Sequence, residues 1–160
     1  MMAKKKKNQA APGTPRLKNR KAFHDYNILE KVECGMVLEG TEVKALRDGM
    51  GKIDEAYARI FNGEVYLMQM SIPAYTKAGA KMQHEPNRKR KLLLNRRQIK
   101  LLETKTIQKG LTLVPLAVYF KQGWAKCEIG IAEGKRLFDK RHSLKEKQQK
   151  RDISRELRKR

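Results

Sequence analysis

Residues 55–72, EAYARIFNGEVYLMQMSI, constrain the fold of this chain more than any other segment. Apolar and polar residues alternate on both sides of Asn62-Gly63, a pair that tolerates the positive φ angles of a type I′ turn. The segment therefore predicts a β-hairpin. The same period of two runs from Tyr26 to Leu38, where Glu30 alone breaks the apolar face, and this predicts a half-buried strand or two strands that share a bend at Gly35.

One segment carries the full set of helix signals. In residues 92–110, LLLNRRQIKLLETKTIQKG, Asn95 is the predicted N-cap and Gln98 stands at the third helical position to complete a capping box. Gly110 is the predicted end. A shorter helix is predicted in GTEVKALRDG, with Thr41 as its cap.

Two further strands are predicted at LTLVPLAVYF and WAKCEIGIA. Pro115 belongs at an edge or a bulge, because proline donates no ladder hydrogen bond. Trp124, at the start of the last strand, is assigned to the core rather than to a stacking surface. Short strands with a single interposed helix are too few for two full sheets. They predict a mainly β fold, a small OB-like β-barrel with a few short helices, whose relatives commonly bind RNA or single strands.

The charge of the chain is concentrated at its ends. The formal net charge is +21; residues 1–21 hold 8 Lys and Arg and no acid, and residues 134–160 hold 12 against 4 acids. This divides the chain into a disordered basic arm (1–18), the barrel (19–133) and a basic C-terminal tail (134–160). A surface this basic attracts polyanions, and nucleic acid is the first candidate.

The sequence offers no segment for crossing a membrane and no secretion signal. The longest mostly apolar run is about half of the ~20 residues that a spanning helix needs. Two cysteines far apart argue against a disulfide framework and fit a reducing cytoplasm. We therefore expect a cytoplasmic protein that has no membrane partner and acts as a monomer.

Candidate catalytic and metal-binding residues are isolated from one another. The three histidines lack the spacing that lets ligands converge on a metal, and Cys34 and Cys127 form no CxxC motif. Cys127 is predicted to be a buried thiol that packs as a small apolar side chain. No carboxylate pair or Ser/His/Asp set can be assembled. We expect no cofactor, no metal and no enzymatic activity.

A long polar loop, residues 73–91, carries a cluster of cations. In a compact domain a loop of this length is commonly functional. Its position in a basic domain favours RNA contact over a solvated charge run. The predicted RNA contacts of the loop are His84, Arg88, Lys89, Arg90 and Lys91.

The tail has no continuous apolar stripe. Leu137 and Leu144 align on a helical wheel, but Ile153 and Leu157 fall on nearly the opposite side. Pairs such as Glu146 with Lys150 add only a few tenths of a kcal/mol each to helix stability. The tail is therefore predicted to be disordered when free and to become helical on RNA.

With these residues in hand, the chain resembles the SsrA-binding protein (SmpB) family. The segments NRKAFHDY, VECGMVLEGTEVKALRDG, EPNRKRKLLLN, LVPLAVYFKQGWAKCEIGIAEGK and DKR occur in the family's order and spacing. The resemblance implies an OB-like barrel that binds the tRNA-like domain of tmRNA. It also implies a tail that enters the decoding centre and mRNA channel of a stalled 70S ribosome.

The resemblance also implies roles for particular residues. It assigns tmRNA binding to Glu33, Leu93 and Asn95, although Leu93 also fits a core position and Asn95 a helix cap. Glu33 would need a hydrogen-bond donor, such as an exposed base amino group. Two positions depart from the family: Phe138 stands where many members have His, and Gln149 where some have Trp. The predicted decoding-centre segment comprises Gly134, Lys135, Arg136, Phe138, Asp139, Lys140 and Arg141.

The function implied by the resemblance is that of an RNA-binding adaptor in trans-translation, the ribosome rescue reaction. Its expected partners are tmRNA, the stalled ribosome with its small-subunit rRNA and, indirectly, EF-Tu with GTP and alanyl-tmRNA. The alternative is a structural ribosomal RNA-binding protein, which would also be small, basic and tailed.

Overall fold

The structure, a computed structural model, describes residues 15–79 and 83–158. The disordered arm predicted at 1–18 lies outside these residues up to position 14. Within the described part, seven strands and four helices follow one another. They are β1 (Leu17–Lys18), α1 (Arg20–Asp25), β2 (Tyr26–Met36), α2 (Gly40–Arg47), β3 (Tyr57–Phe61), β4 (Glu64–Met68), β5 (Arg90–Leu93), α3 (Arg96–Lys109), β6 (Thr112–Lys121), β7 (Trp124–Gly134) and α4 (Leu137–Arg158).

The seven strands form one antiparallel sheet that closes on itself. Their order is β1-β6-β3-β4-β5-β2-β7, and β7 pairs again with β6. Six strands thus form a ring, to which β1 adds a short extra pairing on β6 at Leu17 and Val118. Closure gives each of these six strands a partner on both sides, and the shortest ladders join β2 to β5 at Gly35 and Met36 and β3 to β6 at Ala58. The mainly β prediction is confirmed.

The local predictions with the strongest turn and cap signals are confirmed. Asn62 and Gly63 have φ angles of 49° and 71° and join β3 to β4. The capping box of α3 forms between Asn95 and Gln98, and Gly110 ends the helix in the left-handed region. The pairing of β6 with β7 shifts register next to Pro115, at the predicted bulge.

The core fills the inside of the ring and excludes water from one face of each long strand. Cys127 is buried, as predicted, and the thiol of Cys34 donates a hydrogen bond to its carbonyl oxygen at 3.1 Å. The largest apolar side chains buried there include Leu67, Met70, Ile72, Leu92, Leu102, Leu113, Ile129 and Ile131. Leu102 comes from α3, so this helix covers part of the ring.

Two predictions differ from the structure. The cap of α2 is Glu39, which forms a capping box with Glu42, whereas the hydroxyl of Thr41 is hydrogen-bonded to His84 at 2.8 Å. Trp124 is 73% exposed and lies outside the core, because it begins β7 on the outward side of the strand. In the tail, Leu137–Arg158 form helix α4; that the free tail is disordered and becomes helical on RNA stays a prediction.

The helix α4 follows from the composition of the tail, which is rich in good helix formers. Its mean hydropathy is low, and Ile153 and Leu157 are 57% and 72% exposed, so its described side chains bury little apolar surface. Among the described helices, none is long and apolar enough to cross a membrane.

Candidate nucleic-acid interface

Glu33 lies on the outward face of β2 and is held by two donors of its own chain. The hydroxyl of Tyr119 donates to one carboxylate oxygen, and the ammonium group of Lys121 lies 2.9 and 3.2 Å from the two oxygens. These hydrogen bonds, that of Tyr119 first, hold the pKa of Glu33 below its ordinary value, although partial burial opposes them. Glu33 therefore already has hydrogen-bond donors within its own chain. Its carboxylate is ionised, and these donors fix the orientation of the side chain.

Leu93 lies beside Glu33 on the same face. It pairs with Gly35, which is two residues after Glu33 and therefore points to the same side of the sheet. A Cβ atom on Gly35 would lie 3.3 Å from the Cβ of Leu93, so the leucine covers bare backbone. Leu93 is 52% exposed. This excludes the core role that the sequence left open and places an apolar side chain next to a carboxylate at the surface.

Asn95 follows Leu93 by two residues and starts α3. The backbone N–H of Asn95 donates to Oε1 of Gln98 at 3.1 Å, and the Asn95 side chain accepts from the backbone of the first helical turn. Asn95 is exposed. The predicted role of Asn95 as the cap of α3 is thus confirmed. Its exposed side chain is two residues from Leu93 in the sequence.

Cations and aromatic rings of β6 and β7 surround Glu33 and Leu93. Lys126 pairs with Gly35 across the β2–β7 ladder, and Trp124 projects from the same side of β7. The guanidinium of Arg16 lies 4.8 Å from the ring centre of Tyr119. We call the outward side chains of β2, β6 and β7 around Glu33, together with Leu93 and Asn95, the Glu33 face. It combines cations and a ring open to stacking, which are typical of RNA-binding surfaces, with two carboxylates, those of Glu33 and of Glu128, its partner across the β2–β7 ladder, which is bound by Arg16 and Lys31.

Two of the five residues predicted to contact RNA from the loop are buried, which corrects the prediction for them. Arg90 is 0% exposed and His84 only 5%. The guanidinium of Arg90 donates to Glu42 at 2.8 Å and to the carbonyl oxygens of Met70, Pro86 and Arg88. The imidazole of His84 is bonded to Thr41 and, at 3.0 Å, to the carbonyl oxygen of Ile72. Both side chains bind the loop to the domain instead of facing solvent.

Glu42 is the reason that Arg90 is buried and does not contact RNA. It is fully buried and accepts hydrogen bonds from both Arg88 and Arg90. Burial opposes its ionisation, but the hydrogen bonds from Arg88 and the backbone of Glu39, with the charge of Arg90, hold its pKa below the ordinary value. Glu42 lies more than forty residues before Arg88 and Arg90 in the sequence. The local run of cations therefore does not indicate that one of them is paired with a carboxylate inside the domain.

The remaining cations of the loop stay at the surface. Lys91 is paired with Glu64, to which the hydroxyl of Tyr66 also donates, and it points outward from β5 two residues before Leu93. The ammonium group of Lys89 lies 5.6 Å from the ring centre of Tyr66. Arg88 is about three-quarters buried between Glu42 and Glu39. Lys89 and Lys91 are therefore the members of the cluster that can reach a phosphate.

Among the described residues, no three His, Cys, Asp or Glu side chains are grouped so that they could hold a metal ion. Three grooves of about 420 to 450 Å³ lie open at the described surface, and one of them is lined by Asp25, Asp54 and Glu55 together with Lys21.

The comparisons with known proteins decide the family. A family model described as SmpB protein matches residues 16–159. The chain belongs to the SmpB family. Two SsrA-binding proteins are similar to it over nearly the whole length. That of Syntrophobacter fumaroxidans is 48% identical over 159 residues, covering 99% of this chain and 98% of the relative. That of Thermobifida fusca is 49% identical over 160 residues, covering 99% of each.

A solved structure of an SmpB protein has the same fold. It is described as "tmRNA-SmpB: a journey to the center of the bacterial ribosome" and is 46% identical to this chain. The superposition has a TM-score of 0.65 and covers 78% of this chain and 87% of the other. The resemblance drawn from the sequence motifs is therefore confirmed in both sequence and fold.

The SmpB motif at the start of the tail is only partly described. Gly134 ends β7 and is exposed, and Lys135 and Arg136 link it to α4. Asp139 accepts a hydrogen bond from the backbone N–H of Arg136 at 3.3 Å. Phe138, Lys140 and Arg141 lie in the first turns of α4, and their side chains lie outside the description.

Proposed function

We propose that this SmpB-family chain is an RNA-binding adaptor that binds the tRNA-like domain of tmRNA and delivers it to stalled ribosomes for trans-translation. The observation that carries the proposal is the match to SsrA-binding proteins over 99% of the chain, together with a shared fold with SmpB described with tmRNA and the ribosome. On this proposal the closed sheet is an OB-like barrel, with residues 19–133 as the RNA-binding domain.

The Glu33 face is the proposed tmRNA-binding surface. Glu33 and Leu93 are adjacent on it, and Asn95 follows at the start of α3. The ionised, fixed carboxylate of Glu33 suits an exposed base amino group, which donates hydrogen bonds but carries no charge. Leu93 suits the face of an unstacked base. Lys89, Lys91 and Lys126 would neutralise phosphates around this contact.

The tail, residues 134–160, is the proposed ribosomal contact, with Gly134, Lys135, Arg136, Phe138, Asp139, Lys140 and Arg141 at the decoding centre. Single ion pairs along α4 add too little to hold an isolated helix firmly. Phosphates of the mRNA channel would neutralise its cations and increase its helix population. EF-Tu with GTP and alanyl-tmRNA would be the cargo, and the adaptor would act in the cytoplasm as a monomer without catalysing a reaction.

Competition binding tests the proposal directly. The labelled tRNA-like domain of tmRNA is titrated with the full chain while unlabelled bulk tRNA is present in excess. A specific adaptor should keep its affinity within about threefold at moderate salt, because electrostatic contacts alone do not discriminate between RNAs of equal charge. Displacement of the tmRNA domain in proportion to the added tRNA would refute specific recognition.

A further inference from the structure

The tail leaves the closed sheet beside α1. Strand β7 ends at Gly134, which pairs with Tyr26, the residue that ends α1. The backbone N–H of Lys135 donates to the carbonyl oxygen of Asp25 at 2.9 Å, and its ammonium group donates to that of Phe23 at 3.1 Å. The last carbonyls of a helix lack partners within the helix and carry partial negative charge, so a lysine is favoured there. Lys135 thus joins the start of the tail to α1 twice.

Helix α1 is itself fixed to the sheet. Its N-cap, Asn19, is fully buried, and the side-chain amide donates to the carbonyl oxygens of Ile53 and Pro115, both at 3.0 Å. The side-chain oxygen of Asn19 accepts from the N–H of Ala22 at 2.8 Å. Ala22 is buried in a small apolar cluster with Leu116 of β6. A six-residue helix is thus held at its start by buried hydrogen bonds and in its middle by packing.

Little chain separates this anchor from α4. Arg136 alone lies between Lys135 and the first residue of α4. Its backbone N–H donates to Asp139, which is the third residue of α4, as in one half of a capping box. The helix therefore starts directly after an anchored residue, and its direction depends on that anchor.

We propose that α1 and Lys135 form a bracket that sets the direction in which α4 leaves the sheet, so that Lys135 is a positioning residue within the decoding-centre segment. The proposal rests on the proposed function for its consequence, since a bracket matters only if the tail must reach a fixed place on the ribosome. Its geometric part concerns the free protein alone and can be tested without tmRNA or ribosomes.

The geometric test measures the spread of tail directions in the free protein. Nitroxide labels are placed at Glu103→Cys on α3 and Gln149→Cys on α4, two exposed positions, while the native cysteines are buried and remain unlabelled. Pulsed electron resonance then gives the distance distribution between the labels. Lys135→Met removes the ammonium group and should broaden the distribution, whereas Lys135→Arg should restore the width. An equal width in the original chain and in Lys135→Met would overturn the bracket.

The functional test asks whether direction matters. A glycine inserted between Lys135 and Arg136 keeps every charge and the bond to Phe23, but it shifts the helix by about 100° around its axis. We expect tmRNA affinity within about twofold of the original chain and tagging of stalled peptides reduced about tenfold, which corresponds to about 1.4 kcal/mol of ribosome contacts that the rotated side chains no longer make. Normal tagging by the insertion variant would overturn the proposal.

The two arms separate this proposal from the proposed function. If the original chain itself fails to bind tmRNA or to support tagging, the function is wrong, and the distance measurement still reports on the bracket. If Lys135→Met loses tagging without a broader distance distribution, Lys135 is an RNA contact and the bracket is refuted.

Discussion

Glu42 is fully buried and its charge is compensated by Arg88 and Arg90. Glu42→Ala would leave the buried guanidinium of Arg90 without its partner, and we expect a loss of about 3–5 kcal/mol in the free energy of unfolding. Urea unfolding followed by circular dichroism measures this loss. Glu64→Ala, which breaks the exposed pair with Lys91, is the control and should cost far less. Equal losses in the two variants would contradict the account of the buried network.

The same carboxylate predicts how stability depends on pH. Since the pKa of Glu42 is lower in the folded chain than the ordinary value of 4.5, its contribution is complete above pH 4.5 and is lost as the pH falls through the lowered pKa. Glu42→Gln does not ionise at this position, so the acid side of its stability profile should be less steep than that of the original chain. Parallel profiles would show that other carboxylates govern acid unfolding.

Substitution of Glu33 tests whether the Glu33 face binds tmRNA. Removing an acid from a basic protein should raise nonspecific RNA affinity, so a loss of tmRNA affinity in Glu33→Gln would reveal a directed contact. We expect a loss of about tenfold, typical of one hydrogen bond to a charged group. Glu30→Gln, on the same strand and bonded to Lys105 on α3, is the matched control and should not lose affinity. Identical behaviour of the two variants would remove Glu33 from the interface.

Among the elements, those with local signals could be predicted from sequence. The hairpin at Asn62-Gly63, the caps of α3 and the bulge beside Pro115 depend on neighbours within a few residues, and all three are confirmed. The cap of α2 was misassigned to Thr41 because the hydroxyl is bonded to His84, which is distant in sequence. Trp124 is exposed because it lies on the outward side of β7. Which side of β7 faces inward is determined only when the sheet closes.

The prediction for the tail is that tagging depends on helix α4. Ile153 is exposed, so Ile153→Pro removes little packing but should disrupt the helix at a cost of about 3 kcal/mol while net charge stays the same. We expect unchanged tmRNA affinity and impaired tagging in a reconstituted translation assay. Ile153→Ala is the control, since alanine keeps the helix. Normal tagging by the proline variant, with failure of a charge-neutralised tail, would show that α4 is only an electrostatic tether.

For the whole molecule, the sequence indicated a basic, mainly β domain with a tail, but not how its charges are divided. The pairing of β7 with both β2 and β6 closes the ring through long-range contacts that no local pattern encodes. Arg90 and His84 are buried through contacts with Glu42 and Thr41 of α2, which are equally distant in sequence. The pairing of β2 with β5 brings Glu33 and Leu93, two residues that the family motifs single out, onto one face, while their role in RNA binding stays a prediction.

The division between domain and tail predicts that binding and rescue can be separated. Deleting residues 137–160 removes α4 but keeps Lys135 on α1, so the unfolding midpoint in urea should change little. The Glu33 face is untouched, and tmRNA affinity at low salt should fall only through the lost cations. Tagging of stalled peptides should be abolished. A truncated chain that still supports tagging would mean that the tail is not required on the ribosome.

The central claim is that this chain acts with tmRNA on stalled ribosomes, and the RNA that co-purifies with it from its host tests this most directly. The full chain is recovered from cells under native conditions, and the bound RNA is sequenced and quantified against ribosomes. We predict strong enrichment of tmRNA over its share of cellular RNA, with ribosomes present in less than equimolar amounts. Recovery of rRNA equimolar with the protein and no enrichment of tmRNA would contradict the claim and identify a structural ribosomal protein.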